Sequence, residues 1–233
     1  MEAPKVVTAC VLIIGNEILS GRTQDSNLNY IAKGLGEAGV RLKEARVIPD
    51  VAEVIVAAVN EMRAKYDYVF TTGGIGPTHD DITSECVARA FGVPWIVHPE
   101  ARLRMARTPE GAELVRNPVS RAPGFRMGNV FVMAGVPEVM RVMFDGVKAE
   151  LKGGAPVRSR AISCNLAEGV LAQGLGEIQK RHPEIDIGSY PRYVRGGYAV
   201  TLVARGTDAG LLDQVAAEIV ALIDSLGGVP SEE

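Results

Sequence analysis

The sequence predicts an α/β protein, with a mostly parallel sheet covered by helices over residues 1–152 and a small α+β domain over residues 153–233. Two observations carry this. Through the first half, short apolar runs alternate with stretches of helical periodicity. The segment LKGGAP (Leu151–Pro156) then interrupts the pattern as a linker would, and a second, shorter set of strands and helices follows.

Taken in order, VVTACVLIIG (Val6–Gly15) is apolar on both faces, as a central strand covered on both sides should be. Asn27–Ala38 sets Leu28, Ile31, Leu35 and Ala38 at helical spacing, with Gly39 as a stop. Val40–Ile48 reads as a second strand. Val51–Ala64 reads as a helix with Val54, Ile55, Ala58, Val59 and Met62 on one face. Tyr68–Thr72 is a third strand, running into the glycine-rich TTGGIGPTHDD. The helix after it runs through Phe91, with Asp81 or a near neighbour as its cap and Gly92 as its end. From Pro99 to Gly128 the pattern weakens. A helix is expected first, and then RNPVSRAPGFRMGN (Arg116–Asn129), rich in Pro, Gly and Arg, as a long loop. NVFVMAGVP (Asn129–Pro137) gives a strand and turn, and Pro137–Leu151 a helix. In the second domain the pattern predicts a strand over Ser159–Cys164, a helix over Leu166–Arg181, strands over Ile185–Ser189 and Tyr198–Ala204, and a helix over Leu211–Leu226. That last helix carries Leu212, Val215, Ile219, Leu222 and Leu226 at core spacing.

Composition bounds the function. A chain of 233 residues with 47% hydrophobic and 23% charged residues can bury a sizeable core, so neither a disulfide nor a structural metal is needed for stability. A net charge of −3 argues against a general nucleic-acid or anionic-membrane binder, while leaving a local basic patch open. The longest apolar stretch, Val6–Ile14, contains Thr8 and is too short to span a bilayer, and MEAPKVV is not a signal peptide. A cytoplasmic protein is expected. Cys10, Cys86 and Cys164 follow no CxxC or Cys/His metal spacing and read as reduced, buried thiols.

Two glycine-rich segments follow predicted strands and precede predicted helices, where open α/β sheets bind ligands. Gly15–Thr23 misses the P-loop pattern, because five residues separate Gly15 from Gly21 and Arg22 stands where Lys is required. Gly73, Gly74 and Gly76 do not fit GxGxxG. These failures weaken the ATPase and dehydrogenase readings. The chemistry of Thr71–Pro77 stands without a motif: glycines let a ligand approach backbone N–H groups that can hold an anion, and the next helix adds its positive end. Thr72 and Thr78 add hydroxyl donors. A plain strand-to-helix turn would use one or two of these glycines.

Five carboxylates fall near predicted strand ends: Glu17, Asp25, Asp50, Asp80 and Asp81. Beside a phosphate cradle such a set can hold Mg²⁺ or a similar divalent ion, or serve in acid–base work. Taken singly, each reads better as a capping or solvated residue; it is the cluster as a whole that points to metal or acid–base work. Asn16, Asn27 and Asn29 can hydrogen-bond a heterocycle or ribose, or simply meet solvent at helix starts. His79 can contact phosphate from the same loop or stay in solvent, and His98 and His182 receive no role. Arg102, Arg104, Arg107, Arg116, Arg121 and Arg126 bias the middle region positively without interleaved aromatics, which argues against a nucleic-acid channel. Of these, Arg121 is the one that can reach a phosphate.

GNEILSGRTQDSN (Gly15–Asn27), VIPD (Val47–Asp50), TTGGIGPTHDDIT (Thr71–Thr83), NVFVMAGVPE (Asn129–Glu138) and IGSYP (Ile187–Pro191) together resemble the molybdopterin-binding-domain family. The likeness is to its branch of CinA-type proteins and the N-terminal domain of eukaryotic FAD synthases, and it covers nearly the whole chain. The resemblance implies a three-layer αβα domain binding a pterin or adenine-nucleotide ligand through phosphate, with Asp50 and Asp81 in the catalytic positions. Read from the residues themselves, Gly15, Asn16, Asn27, Thr72, Gly73, Gly74, Gly76, Pro77 and Thr78 are expected around the ligand, and Asp80, Asp81, Glu17 and Asp25 around a metal. Neither an amidohydrolase nor an FAD-forming domain is present in the sequence, so neither activity is expected. The RNPVSRAPGF loop is similar to the CinA-type version and GPTHDD to the FAD-synthase version, which leaves the substrate open.

The leading expectation is a metal-dependent nucleotide pyrophosphatase that releases AMP from FAD or ADP-ribose, with Mg²⁺, Co²⁺ or Ni²⁺ and with K⁺ as a further ion. The alternatives are molybdopterin binding or adenylyl transfer in molybdenum cofactor biosynthesis, and a non-catalytic ligand-binding module. The resemblance also implies a homo-oligomer; no nucleic-acid or membrane partner is expected.

Overall fold

The computed structural model describes residues 6–98, 107–120, 122–194 and 197–232. The chain divides into two compact units, Met1–Gly154 and Ala155–Glu233.

The first unit contains, in order, β1 (Val7–Ile14), α1 (Asn16–Leu19), α2 (Asn27–Glu37), β2 (Val40–Ile48), α3 (Ala52–Lys65), β3 (Tyr68–Thr72), α4 (Thr83–Phe91), β4 (Trp95–Val97), β5 (Arg107–Pro109), β6 (Glu113–Val115), β7 (Gly124–Met127), β8 (Val130–Met133) and α5 (Pro137–Lys148). Its six-stranded sheet has the order β2-β1-β3-β8-β7-β6. The first four strands are parallel, and β7 and β6 continue the sheet antiparallel. Strands β4 and β5 form a separate antiparallel pair.

The double hydrophobic character of β1 explains the layers. Successive side chains of a strand point to opposite faces. Ala9, Val11 and Ile13 enter a core with Ile31 and Leu35 of α2 and Met140, Met143, Phe144 and Val147 of α5. Cys10, Leu12 and Ile14 enter the opposite core with Ile55, Val59 and Met62 of α3 and Cys86 and Val87 of α4. The sheet is thus the middle of three layers. Phe70 anchors the first core, stacking on Phe131 at 5.1 Å between centroids and meeting Phe144 edge-on at 5.7 Å.

The Arg116–Asn129 stretch is not one long loop. Its last part forms β7, which pairs with β8 and buries Phe125. Proline, glycine and arginine around a four-residue strand masked that single buried aromatic. The helix expected after Pro99 falls largely on residues outside the described set, as do Arg102, Arg104 and Arg121, and residues 107–115 carry β5 and β6 instead. The short α1 was also not foreseen.

The second unit contains β9 (Arg158–Cys164), α6 (Glu168–Arg181), β10 (Asp186–Val194), β11 (Gly197–Gly206), α7 (Ala209–Ser225) and β12 (Ser231–Glu232). Its antiparallel sheet runs β10-β11-β9-β12, and Leu212, Val215, Ile219 and Ile223 of α7 pack on Ile162, Leu202 and Ala204. Asp208 caps α7 by accepting from the Leu211 amide at 3.0 Å. Strand β10 continues past Ser189 through Pro191, which an edge strand tolerates because the missing N–H can face away from the ladder.

Cys10, Cys86 and Cys164 are free and buried, and burial pushes the Cys10 thiol up to about 12 and that of Cys86 to about 11. Among the described residues no helix is long and apolar enough to cross a membrane.

Candidate functional site

The site lies where β1, β3 and β8 end and α2, α4 and α5 begin. Gly73 follows β3 at φ +98°, and a Cβ there would stand 2.1 Å from the Ile14 carbonyl oxygen at the end of β1. Gly74, at φ +64°, would bring a Cβ within 2.1 Å of the Thr83 hydroxyl. These two positions therefore require glycine for both conformation and space. The Gly73 amide donates to the Met133 carbonyl of β8 at 3.2 Å, so it secures the turn and is not free for a ligand. The amides of Gly74, Ile75 and Gly76, by contrast, have no acceptor among the described residues.

Three helices start around this turn. Thr83, the first residue of α4, donates its amide to the Gly74 carbonyl at 3.0 Å and its hydroxyl to the Gly73 carbonyl at 3.1 Å. Asn27, the first residue of α2, donates from Nδ2 to the Gly135 carbonyl at 2.7 Å, just before α5. Gly135 itself lies against Gly73, where a Cβ would come within 3.2 Å of the Gly73 Cα. No side chain caps α4 or α5 at its N-cap residue. Their positive ends and the loop amides without an acceptor are the electropositive features around this turn. Thr83 and Gly135 were missed by the sequence reading; the small residues in DDITSE and MAGVP were the available signal.

The carboxylates divide into two groups. The Asp50 Oδ2 accepts from the Asn16 amide at 2.8 Å, joining the end of β2 to α1, and the Gly15 amide donates to the Ile48 carbonyl at 3.1 Å. Glu17 is exposed on α1, and Asp25 accepts from the Leu28 amide at 2.9 Å, serving the first turn of α2. In the glycine loop, Asp81 does not cap α4, whose N-cap is Ile82. Its Oδ2 instead accepts from the Thr78 amide at 2.8 Å. The Thr78 hydroxyl faces that same oxygen at 2.6 Å and also bonds the Asp80 carboxylate. The Thr78 hydroxyl and the Asp80 backbone amide hold the Asp80 carboxyl below the usual carboxylate range, with His79 adding a smaller effect. One hydroxyl proton cannot serve two carboxylates at once, so at any moment one of the two carboxylates takes its remaining hydrogen bonds from solvent.

Among the described residues no group of three or more His, Cys, Asp or Glu side chains is arranged to hold a metal by itself. Asp80, Asp81, Glu17 and Asp25 therefore do not form one closed set. The Asp80–Asp81 pair nevertheless fits the way Mg²⁺ is commonly held, through one or two carboxylates, water and substrate phosphates. Pro77, His79 and Asn16 are exposed. His182 lies in the second unit and bonds Glu218 at 2.9 Å. Arg107 rests over Trp95, and Arg126 donates to the Gly128 carbonyl and lies over Phe131.

An α/β sheet with uncapped helix starts and a glycine turn at its strand ends defines a small-molecule-binding domain of the doubly covered type. Residues 10–153 match the family described as "Probable molybdopterin binding domain", and the chain belongs to that family. Residues 156–231 match "FAD synthase, middle domain". A protein of Archaeoglobus fulgidus is 34% identical over 195 residues, covering 78% of this chain and 85% of that protein. A CinA-like protein of Citrifermentans bemidjiense is 35% identical over 239 residues, covering 90% of this chain but 56% of that longer protein. The solved structure of the CinA protein of unknown function from Thermoplasma acidophilum superposes with a TM-score of 0.58 at 28% identity, over 62% of this chain and 98% of that one.

Proposed function

We propose that the chain is a metal-dependent nucleotide pyrophosphatase acting on a dinucleotide-type diphosphate such as FAD or ADP-ribose. The observation that carries this reading is the direct adjacency of two opposite features. The unsatisfied amides of Gly74, Ile75 and Gly76 suit a diphosphate, and the Asp80–Asp81 pair beside them would repel one unless a cation joined them. Pure anion binding gains nothing from those carboxylates. The match of the second unit to a domain described from FAD synthase supports a flavin or adenine nucleotide as the ligand class.

In this reading the loop amides hold the diphosphate oxygens, and Asp80 and Asp81 are the residues that would hold a divalent ion (Mg²⁺, Co²⁺ or Ni²⁺, with K⁺ as a further ion). Such an ion would supply neutralisation of phosphate charge and a more acidic water. Asp50, with one oxygen committed to the Asn16 amide, uses the other, which has no partner among the described residues, to orient water or take its proton. Water adds to one phosphorus and the bridging P–O bond breaks. FAD gives AMP and FMN; ADP-ribose gives AMP and ribose 5-phosphate. A small-molecule role accords with the net charge of −3, and three free buried thiols accord with the reducing cytoplasm. A homo-oligomer is part of the same reading.

The test is incubation with FAD or ADP-ribose, with and without Mg²⁺, Co²⁺ or Ni²⁺ plus K⁺, beside an Asp81→Ala variant. Metal-dependent AMP release that the variant loses supports the proposal. No AMP from folded protein under any metal overturns it and leaves pterin binding, adenylyl transfer or simple ligand carriage.

A further inference from the structure

Thr78 commits both of its donors inside the loop. Its amide donates to Asp81 Oδ2 at 2.8 Å, and its hydroxyl lies 2.6 Å from that oxygen and also bonds Asp80 Oδ1. Because the amide already serves Asp81, the single hydroxyl proton is available to Asp80, and both carboxylates are then tied to one residue. At an ordinary helix start, the hydroxyl of a capping threonine accepts from the amide three residues on. Here that amide, of Asp81, donates to the Thr78 carbonyl at 3.2 Å, and the hydroxyl turns to the carboxylates instead.

Gly76 supplies another side of the same seat. A Cβ there would stand 2.5 Å from Asp81 Oδ2 and 3.0 Å from Oδ1, so the Asp81 carboxylate occupies the space of the missing side chain. Gly76 is not in the left-handed region, so glycine provides room at this position and not conformation. The Asp81 carboxylate is thereby held against a loop residue whose own amide has no acceptor among the described residues. Its Oδ1 likewise has no hydrogen-bond partner among them. Two oxygens that both bond one hydroxyl lie within about 5 Å of each other. The shared hydroxyl thus draws the carboxylates of two sequence neighbours to one side of the loop.

We propose that Thr78 is a positioning residue, whose amide and hydroxyl hold Asp80 and Asp81 together as one acceptor pair for a divalent cation. Neither of its donors is then left for a phosphate, so Thr78 supports the cation side of the site and does not touch the nucleotide. This rests on the function proposed above. The rival is a purely structural turn, which Thr78 would stabilise with or without a cation.

The experiment is titration of the full chain with Mn²⁺, alone and with α,β-methylene-ADP, a diphosphate that resists hydrolysis. Binding is read by water-proton relaxation, which responds to ion held on the protein. Wild type is compared with Thr78→Val, which deletes the hydroxyl at nearly constant shape, and Thr78→Ser, which keeps it. Thr78 is exposed, so neither replacement disturbs the core, and urea unfolding followed by Trp95 checks this. Thr78→Val should weaken Mn²⁺ binding by at least about tenfold, the usual cost of removing a group that orients metal ligands, and Thr78→Ser by no more than about threefold. The metal concentration giving half-maximal AMP release should rise by the same factor, with the rate at saturating metal little changed. If Thr78→Val binds Mn²⁺ as wild type does, the inference falls while the cation reading stands. If both variants weaken binding equally, or the loss follows a lower urea midpoint, Thr78 is structural and the inference falls. If wild type binds no Mn²⁺ in either condition, the inference and the metal-dependent reading fall together.

Discussion

Replacing Gly73 by alanine tests the strand-end turn most sharply. At φ +98° an L-residue is strained, at about 1–3 kcal/mol. The new Cβ would stand 2.1 Å from the Ile14 carbonyl oxygen, where real Cβ contacts essentially never fall below 3.0 Å. That oxygen is backbone of the central strand and cannot swing aside as a side chain would, so relief requires β1 and β3 to move apart, an overpacking cost of about 1–3 kcal/mol. Reduced freedom of the unfolded chain returns about 0.4–1 kcal/mol, leaving a net loss of about 2–5 kcal/mol. Urea unfolding followed by Trp95, the sole tryptophan and a residue of the first unit, reads this unit directly. The expected result is a lower midpoint with an unchanged slope. The control is Gly36→Ala in α2, where a Cβ meets nothing within 4 Å and where alanine should stabilise by about 0.5–1 kcal/mol. Equal stability of Gly73→Ala and wild type would refute the reasoning.

Three further outcomes are expected. Phe144→Ala, which empties the junction of α5 with Phe70, should cost about 3–5 kcal/mol in the same Trp95 assay, and a loss under 1 kcal/mol would contradict the packing. Hydrogen bonds from Tyr66, Lys65 and Arg46 lower the Glu44 carboxyl from 4.5 to about 2. A depressed acid stabilises the fold above its unfolded value, so stability should be full above pH 4.5 and fall as pH drops toward 2; Glu44→Gln should flatten that limb in an acid titration. Finally, a thiol reagent at pH 8 should label none of the three buried cysteines in the native protein and all three in denaturant, because burial holds Cys10 and Cys86 protonated. Fast native labelling of Cys10 would place it outside the core described for β1.

The parallel part of the sheet was legible because its strands are apolar on both faces and alternate with clear helical periodicity. β2 and β3 fall on the residues expected for them, and Gly92 ends α4 in the left-handed conformation. Strands β4 to β7 were not legible. Each has three or four residues, too few to show an alternation, and the pairing of Phe125 with Val132 is a tertiary fact. In the site, composition singled out the glycine turn but not its division of labour. Gly73 and Gly74 are demanded by steric closure, while free amides begin only at Gly74. That follows from the approach of Ile14, Met133 and Thr83, contacts made across the sheet ends. Asp81 looked like a helix cap because local sequence places it before α4, yet its carboxylate turns back to Thr78. The dispersal of Glu17, Asp25 and Asp50 onto other turns was equally invisible, since nearness to a strand end in sequence does not fix where a side chain points.

The central claim is that the loop from Gly74 to Asp81 holds a diphosphate beside a carboxylate-bound cation. A crystal structure of the chain with ADP-ribose and an inert divalent ion tests it most directly. Diphosphate oxygens should lie about 3 Å from the amide nitrogens of Gly74, Ile75 or Gly76, with the ion bridging them to Asp80 or Asp81. A diphosphate bound elsewhere, or a loop whose amides stay unliganded at saturating ligand, would contradict it.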